Sequence, residues 1–294
     1  MTLIQRTLPT AIKVAGVAGV AGLGVYTARQ FSTVFAESQN GSKPAFGGWG
    51  FTTLRVQSVK TVNHDTKRLV LEFPDPGSRS GLALTSALLT ITHPEGAWMP
   101  TLRPYTPISD LDEPGQLELM VKKYPAGKGS GYMHSLQPGD SLKFATSLKG
   151  YQWRANEAPH IYLLAGGAGI TPIYQLIRGI LKNPEDKTKM TLVFGVNSEE
   201  DLLLKEELDA YAKEFPGRFE YSYTISRPKT EAGVFRKGYV DEELLRSAFK
   251  GEVATDAKVF VCGPPAMEDS LVGSRRAPGV LGQLGVRKDQ VVKF

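Results

Sequence analysis

The run His160–Gly167, HIYLLAGG, carries no carboxylate, lysine or arginine, is apolar after its first residue and ends directly on glycines. A strand with no polar face is buried on both sides, which happens where helices cover a parallel sheet. Pro172 to Leu181 follows as a helix with proline in its first turn, where the missing N–H does no harm. The alternation then repeats. TLVFGVN is a second buried strand, LLLKEELDAYAKEF an amphipathic helix and FEYSYTIS a third strand. DEELLRSAF is a helix and AKVFVCGPP a fourth strand. Strand alternating with helix predicts a doubly wound parallel α/β sheet over residues 156–294.

Residues 51–155 follow a different pattern. FTTLRVQSVKTV, TKRLVLEF, LALTSALLTITH, QLELMVKKY and SLKFATSL alternate apolar with polar positions and carry β-branched residues. Turn formers punctuate them at Pro74–Gly77, Glu113–Gly115 and Pro138–Asp140. Many short strands with such turns predict an antiparallel barrel or sandwich. One short helix is expected near Gly131–Leu136.

The first 30 residues differ again. No acidic residue precedes Glu37, while Arg6, Lys13 and Arg29 are basic. Val14–Ala28 carries no charge, and extension back to Leu8 gives a span that crosses a bilayer if Lys13 snorkels. A membrane anchor, a cleaved mitochondrial presequence and a secretory signal share this order of basic then apolar residues; the anchor fits best. Residues 31–50 read as a linker, with SQNGSKPAFGGWG rich in Gly and Ser.

Composition removes other functions. The single cysteine, Cys262, excludes a disulfide framework and a multi-cysteine metal site. His64, His93, His134 and His160 have no metal-ligand spacing, so no metal is expected. A net charge of +5 is too small and too evenly spread for nucleic acid; it suits an acidic protein partner or an anionic surface, and is also what solvated surface lysines alone would give.

Four motifs carry chemistry. In Gly166-Gly167-Ala168-Gly169-Ile170-Thr171-Pro172 the glycines let a ligand approach the backbone, and the helix start offers free N–H groups to an anion. In Arg103-Pro104-Tyr105-Thr106-Pro107 the arginine suits a diphosphate and the tyrosine a flat ring, with the Thr106 hydroxyl at its polar edge. Gly127-Lys128-Gly129-Ser130 forms a phosphate nest before a helix. Cys262-Gly263-Pro264-Pro265 ends a strand where ligands bind in open α/β sheets. Taken singly, each is also a common structural element.

Their order, RPYTPIS, VKKY, GKGS, GGAGITP and CGPP, with VNSEEDLLLKEEL between the last two, resembles the ferredoxin-reductase-like flavoproteins, and within them the NADH–cytochrome b5 reductase family. The resemblance covers nearly all of residues 51–294. It implies an antiparallel β-barrel FAD domain over 51–155 and an NAD(P)H-binding domain over 156–294. FAD would be held by Arg103, Pro104, Tyr105, Thr106, Lys122, Tyr124, Gly127, Gly129, Ser130 and Thr171. The nicotinamide nucleotide would meet Gly167, Ala168, Gly169, Ile170, Thr171, Pro172, Ser226, Arg227, Cys262, Gly263, Pro264 and Pro265. Tyr105, Thr106, Thr171 and Cys262 would stand at the reacting rings, with Phe294 near the flavin.

The implied activity is hydride transfer from NADH to FAD, then single electrons to cytochrome b5 or a similar haem protein. A reductase serving an oxygenase or quinone is the alternative. Lys122, Lys123 and Lys149 are candidate steering charges for an acidic partner. The N-terminal stretch resembles the anchor of the mitochondrial form in fungi. That implies a single-pass anchor in the mitochondrial outer membrane, or a processed form in the intermembrane space.

Three departures stand out: Ala168 where the family usually has threonine, Ala266 where it has a third proline, and Ser226-Arg227 where NADH-selective relatives carry an acid. With Lys229, Arg236, Lys237 and Tyr239 nearby, the last suggests that NADPH is also used.

Overall fold

The computed structural model describes residues 42–47, 50–229, 235–251, 253–274 and 277–294. The expected N-terminal anchor lies outside them. Among the described residues no helix is long and apolar enough to cross a membrane.

The first sheet contains β1 (Thr52–Thr61), β2 (Thr66–Glu72), β3 (Ala87–Thr92), β4 (Thr101–Tyr105), β5 (Gln116–Lys122) and β6 (Ser141–Leu148). Its order is β4-β3-β6-β1-β2-β5, and every pair is antiparallel. The edge strands meet just past β4, where Pro107 bridges Leu119 of β5 and Ile108 N–H donates to the Glu118 carbonyl at 2.8 Å. The expected barrel is therefore closed by one bridge at the exit of the RPYTP segment.

Period-two alternation fills this barrel with Leu69, Leu71, Leu117, Leu119, Val121, Leu142 and Phe144. Met133 of α1 (Lys128–Ser135), fully buried, joins the same core. Full burial of one such side chain contributes about 1.5–3 kcal/mol.

Of the segment LALTSALLTITH, only Ala87–Thr92 is strand. Thr85 has a φ of 63°, outside the β region, and Ser86 N–H turns back to the Ala83 carbonyl at 3.1 Å. Leu84 is drawn instead to a helix of the second domain, where it lies against Gly179.

The second sheet runs β10 (Arg236–Lys237), β9 (Phe219–Ile225), β8 (Lys189–Val196), β7 (His160–Gly166), β11 (Lys258–Cys262) and β12 (Val291–Lys293), all parallel. Side chains of β7 alternate between two covered faces. Ile161, Leu163 and Ala165 share a core with Ile173, Leu176 and Ile177 of α2 (Ile170–Lys182) and Leu208 of α3 (Lys205–Glu214). Tyr162 and Leu164 face Leu245 and Phe249 of α4 (Glu242–Phe249), with Leu271 of α5 (Pro265–Val272) and Leu281 of α6 (Val280–Gln283). Strand order reverses between β7 and β11, the position where open α/β sheets bind ligands.

The two sheets share a core. Ile108 and Met120 of the barrel side are buried in the cluster built by β7 and α2. Met120 points away from the barrel interior because its neighbours Leu119 and Val121 point in. Charges reinforce the join. The Lys122 ammonium lies 2.6 Å from Asp65 and 2.6 Å from Asp201, and Arg68 reaches Glu207.

Candidate functional site

A cavity of about 1020 Å³ lies between the barrel and the carboxyl ends of β7 and β11. That is at the upper end of ordinary small-molecule sites. One wall carries Arg103, Pro104, Tyr105, Thr106, Lys122, Tyr124, Gly127, Gly129 and Ser130. The other carries Ala168, Gly169, Thr171, Pro172, Cys262, Gly263, Pro264 and Pro265, and Phe294 closes one side. Gly167 and Ile170 shape the turn without lining the cavity. Ile170 is core, and Gly167 has a φ of 51° in the left-handed region. Ser226 and Arg227 sit past the end of β9, also outside this lining.

The barrel wall offers an anion site and a ring site. α1 starts at Gly127 with no side-chain cap, so its first N–H groups have no such partner. The Arg103 guanidinium donates to the Leu102 carbonyl at 2.7 Å and pairs with no carboxylate among the described residues. A β-carbon on Gly129 would come within 3.1 Å of Arg103 Cγ, so the glycine lets the arginine stem lie across the helix start. Ser130 fixes the nest, accepting from Tyr124 N–H and donating to the Gly127 carbonyl, both at 3.1 Å.

Burial pushes the Tyr105 phenol up to about 12, with Arg103 opposing and Tyr124 adding, so it is neutral at working pH. Thr106 is nine-tenths buried, yet its hydroxyl bonds none of the described residues. These groups fit a flavin dinucleotide: a cation and helix amides for the diphosphate, and a neutral aromatic face with a hydroxyl for the ring.

Lys122 behaves differently from its expected steering role. Desolvation alone would lower its pKa, but Asp201 and Asp65 outweigh it and hold the ammonium charged. Its side chain is only 10% exposed, which leaves Lys123 and Lys149 as the exposed members of the three steering candidates.

The opposite wall is built by close backbone approach. A β-carbon on Gly169 would stand 2.2 Å from the Cys262 carbonyl oxygen, and one on Gly166 would stand 2.4 Å from Met267 Sδ. Gly167–Gly169 forms a 3-10 turn, and Thr171 donates to the Ala168 carbonyl at 3.1 Å. The CGPP loop, with Ala266 after it, is tied from below. Glu268 accepts from Gly263 N–H at 3.4 Å and from Lys293 at 2.7 Å, pinning loop and β12 together. Phe294 stacks on Phe260 with centroids 5.7 Å apart.

Sequence reasoning missed Tyr151 and Gln175. Tyr151 packs edge-on against Phe260 at 5.1 Å and lines the cavity; no motif marks it. Gln175 spans the two domains and is buried among the apolar residues of α2.

Residues 53–153 match the oxidoreductase FAD-binding domain and residues 163–272 the oxidoreductase NAD-binding domain. A Pyricularia oryzae protein called NADH-cytochrome b5 reductase 2 is 44% identical, covering 96% of this chain and 89% of its own length. The Neurospora crassa protein of that name is 46% identical over 86% of this chain and 76% of its own. The chain belongs to the NADH–cytochrome b5 reductases. Among solved structures, the cytochrome b5 reductase domain of Ulva prolifera nitrate reductase superposes with a TM-score of 0.77 at 26% identity. The match covers 86% of this chain and all of that one. FAD and NADH are accordingly the cofactor and the donor.

The cleft makes a prediction for its thiol. Burial first, then Glu268, pushes the Cys262 thiol up to about 12. The reactive thiolate at pH 8 is then roughly a thousandfold scarcer than in an unperturbed cysteine. Since the chain has one cysteine, label counts read it directly. Iodoacetamide uptake should be slow at pH 8 and keep climbing past pH 10. Rapid labelling that levels off near pH 9 would place the thiol outside this environment.

Proposed function

We propose that this reductase moves hydride from NADH to FAD in the interdomain cavity and passes electrons singly to cytochrome b5. The observation that carries the reading is the pairing of walls: an anion nest and neutral aromatic on one side, the switch point of a parallel sheet on the other. Bound FAD would supply the conversion of a two-electron donor into one-electron steps.

The chain's own part is binding, orientation and exclusion of water. Arg103 and the first amides of α1 hold the diphosphate. Tyr105 and Thr106 set the ring's position. Thr171 and the glycine turn admit the nucleotide to the opposite face. The Cys262 thiol stays protonated, so it acts as a neutral wall and no covalent step involves it. Phe294 and Tyr151 shield the cavity with aromatic surface. Lys123 and Lys149 remain available to an acidic haem protein. The direct test is yellow purified protein that reduces ferricytochrome b5 with NADH. Arg103→Ala should lose a charge-assisted contact of about 1.5–3 kcal/mol, roughly tenfold to over a hundredfold in FAD affinity. Full flavin occupancy of that variant at low FAD would remove Arg103 from the diphosphate site.

The same reading extends to the tether. Residues 1–30 act as a single-pass anchor in the mitochondrial outer membrane, supported by the acid-free basic start and the uncharged Val14–Ala28 run. The full chain should stay with membranes after alkaline carbonate washing, and release of the intact chain would count against an anchor.

NADH is the main donor, and NADPH is used better than in relatives with an acid at position 226. A serine does not repel a 2′-phosphate. Most of the neighbouring cations are committed elsewhere: Lys229 to Glu200 at 2.7 Å, and Arg236 to Asp241 at 2.6 Å and Glu243 at 2.8 Å. Arg227 has no ion pair among the described residues, and it is the cation that would meet the phosphate. Comparing kcat/KM for both nucleotides, Ser226→Asp should shift preference toward NADH. If the parent already rejects NADPH by more than about a thousandfold, ~4 kcal/mol, Ser226 and Arg227 do not admit it.

A further inference from the structure

One face of α2 grips the segment that leaves the flavin wall. Gln175 Nε2 donates to the Pro107 carbonyl at 2.9 Å, and Arg178 Nη1 donates to the Ile108 carbonyl at 2.9 Å. One turn further, Lys182 meets Asp110 and Asp112, each at 2.8 Å. These positions, three and four residues apart, share one helix face. On that face a β-carbon at Gly179 would lie 2.4 Å from Leu84 Cδ1, so helix and barrel segment sit flush.

The grip begins where the cavity ends. Pro107 is bonded to Thr106, which lines one wall, and Gln175 stands one helical turn after Thr171, which lines the other. The Gln175–Pro107 hydrogen bond is therefore a polar tie directly behind Thr106 and Thr171. It is also an unusual use of glutamine. The residue is 2% exposed, and its Oε1 has no donor among the described residues. Burying an unpartnered amide oxygen is unfavourable, so stability alone is poorly served by this side chain.

We propose that Gln175, backed by Arg178, is a positioning residue for hydride transfer, fixing the separation between the Thr106 and Thr171 walls. The proposal rests on the cavity holding flavin and nicotinamide. Misplacement of about 1 Å far from the reacting atoms can slow a reaction on the order of a hundredfold. Because the tie is one donor reaching one carbonyl, substitutions of equal length separate it from packing.

The test compares the full-length parent, Gln175→Met and Gln175→Glu by stopped-flow flavin reduction with NADH. The comparison adds FAD occupancy, thermal melting and hydrogen exchange at the Ile108 amide, which is bonded to Glu118. For Gln175→Met the maximal reduction rate should fall about tenfold or more. FAD content, melting temperature and half-saturating NADH should stay near the parent's, and the Ile108 amide should exchange faster. In Gln175→Glu the protonated carboxyl can donate to Pro107 and the carboxylate cannot. Its rate should therefore approach the parent's at low pH and fall away as that carboxyl ionises, a pH dependence absent from the other two. If Gln175→Met folds poorly, Arg178→Met should show the same split between rate and affinity. Parent-like rates and exchange in the variants would overturn the proposal. So would a rate loss matched by equal loss of FAD or melting temperature, which marks a structural role. A parent that binds no FAD, or binds it and is not reduced by NADH, overturns the reading of the cavity instead.

Discussion

Where β7 and β11 end side by side, the backbone leaves no space for a β-carbon. Gly169 faces the Cys262 carbonyl, and Gly166 and Gly263 both lie against the sulfur of Met267. This close approach fixes much else. It lets the 3-10 turn Gly167–Gly169 tuck under the start of α2, and it aims the first turn of that helix at the cavity. It also brings the Cys262 loop level with Ala165, its register partner on β7. Larger residues would push the strand ends apart and lose the close approach that shapes the crevice.

The second domain is seated on the barrel by charges of opposite sense on its two sides. At the β5 side the barrel supplies cations, Arg68 and Lys122, to acids of the second domain, Glu207 and Asp201. At the far side α2 supplies the cations, Arg178 and Lys182, to Asp110 and Asp112 of the barrel segment. A sliding or inverted docking would set like charges together on at least one side. Burial of Ile108 and Met120 between them adds apolar area that only the observed seating covers.

Much of this was legible in the sequence because it depends on local rules. Period-two alternation located the barrel strands, and SLKFATSL matches β6 residue for residue. Apolar runs ending on glycine located the parallel strands, and the motif order located both cavity walls. The rest depends on partners distant in sequence. Nothing near Lys122 announces that Asp65 and Asp201 will neutralise it, and nothing near Lys229 announces Glu200. Leu82–Ser86 alternates like a strand but follows Leu84 toward α2. β12 is three residues long, shorter than any pattern can mark, and exists because β11 offers it an edge. Gln175 carries no motif, and its meaning comes from a carbonyl 68 positions away.

The bridge between Pro107 and Leu119 has a thermodynamic corollary. It is the narrow seam on which the barrel closes, and the segment forming it is held from behind by α2. Loss of the second domain would release that segment and bare the outer edge of β5, with Met120 stripped of its cover. The first domain thus borrows its last closure from the second. Two sheets that look separable on a topology diagram share contacts on which the first depends for its closing seam.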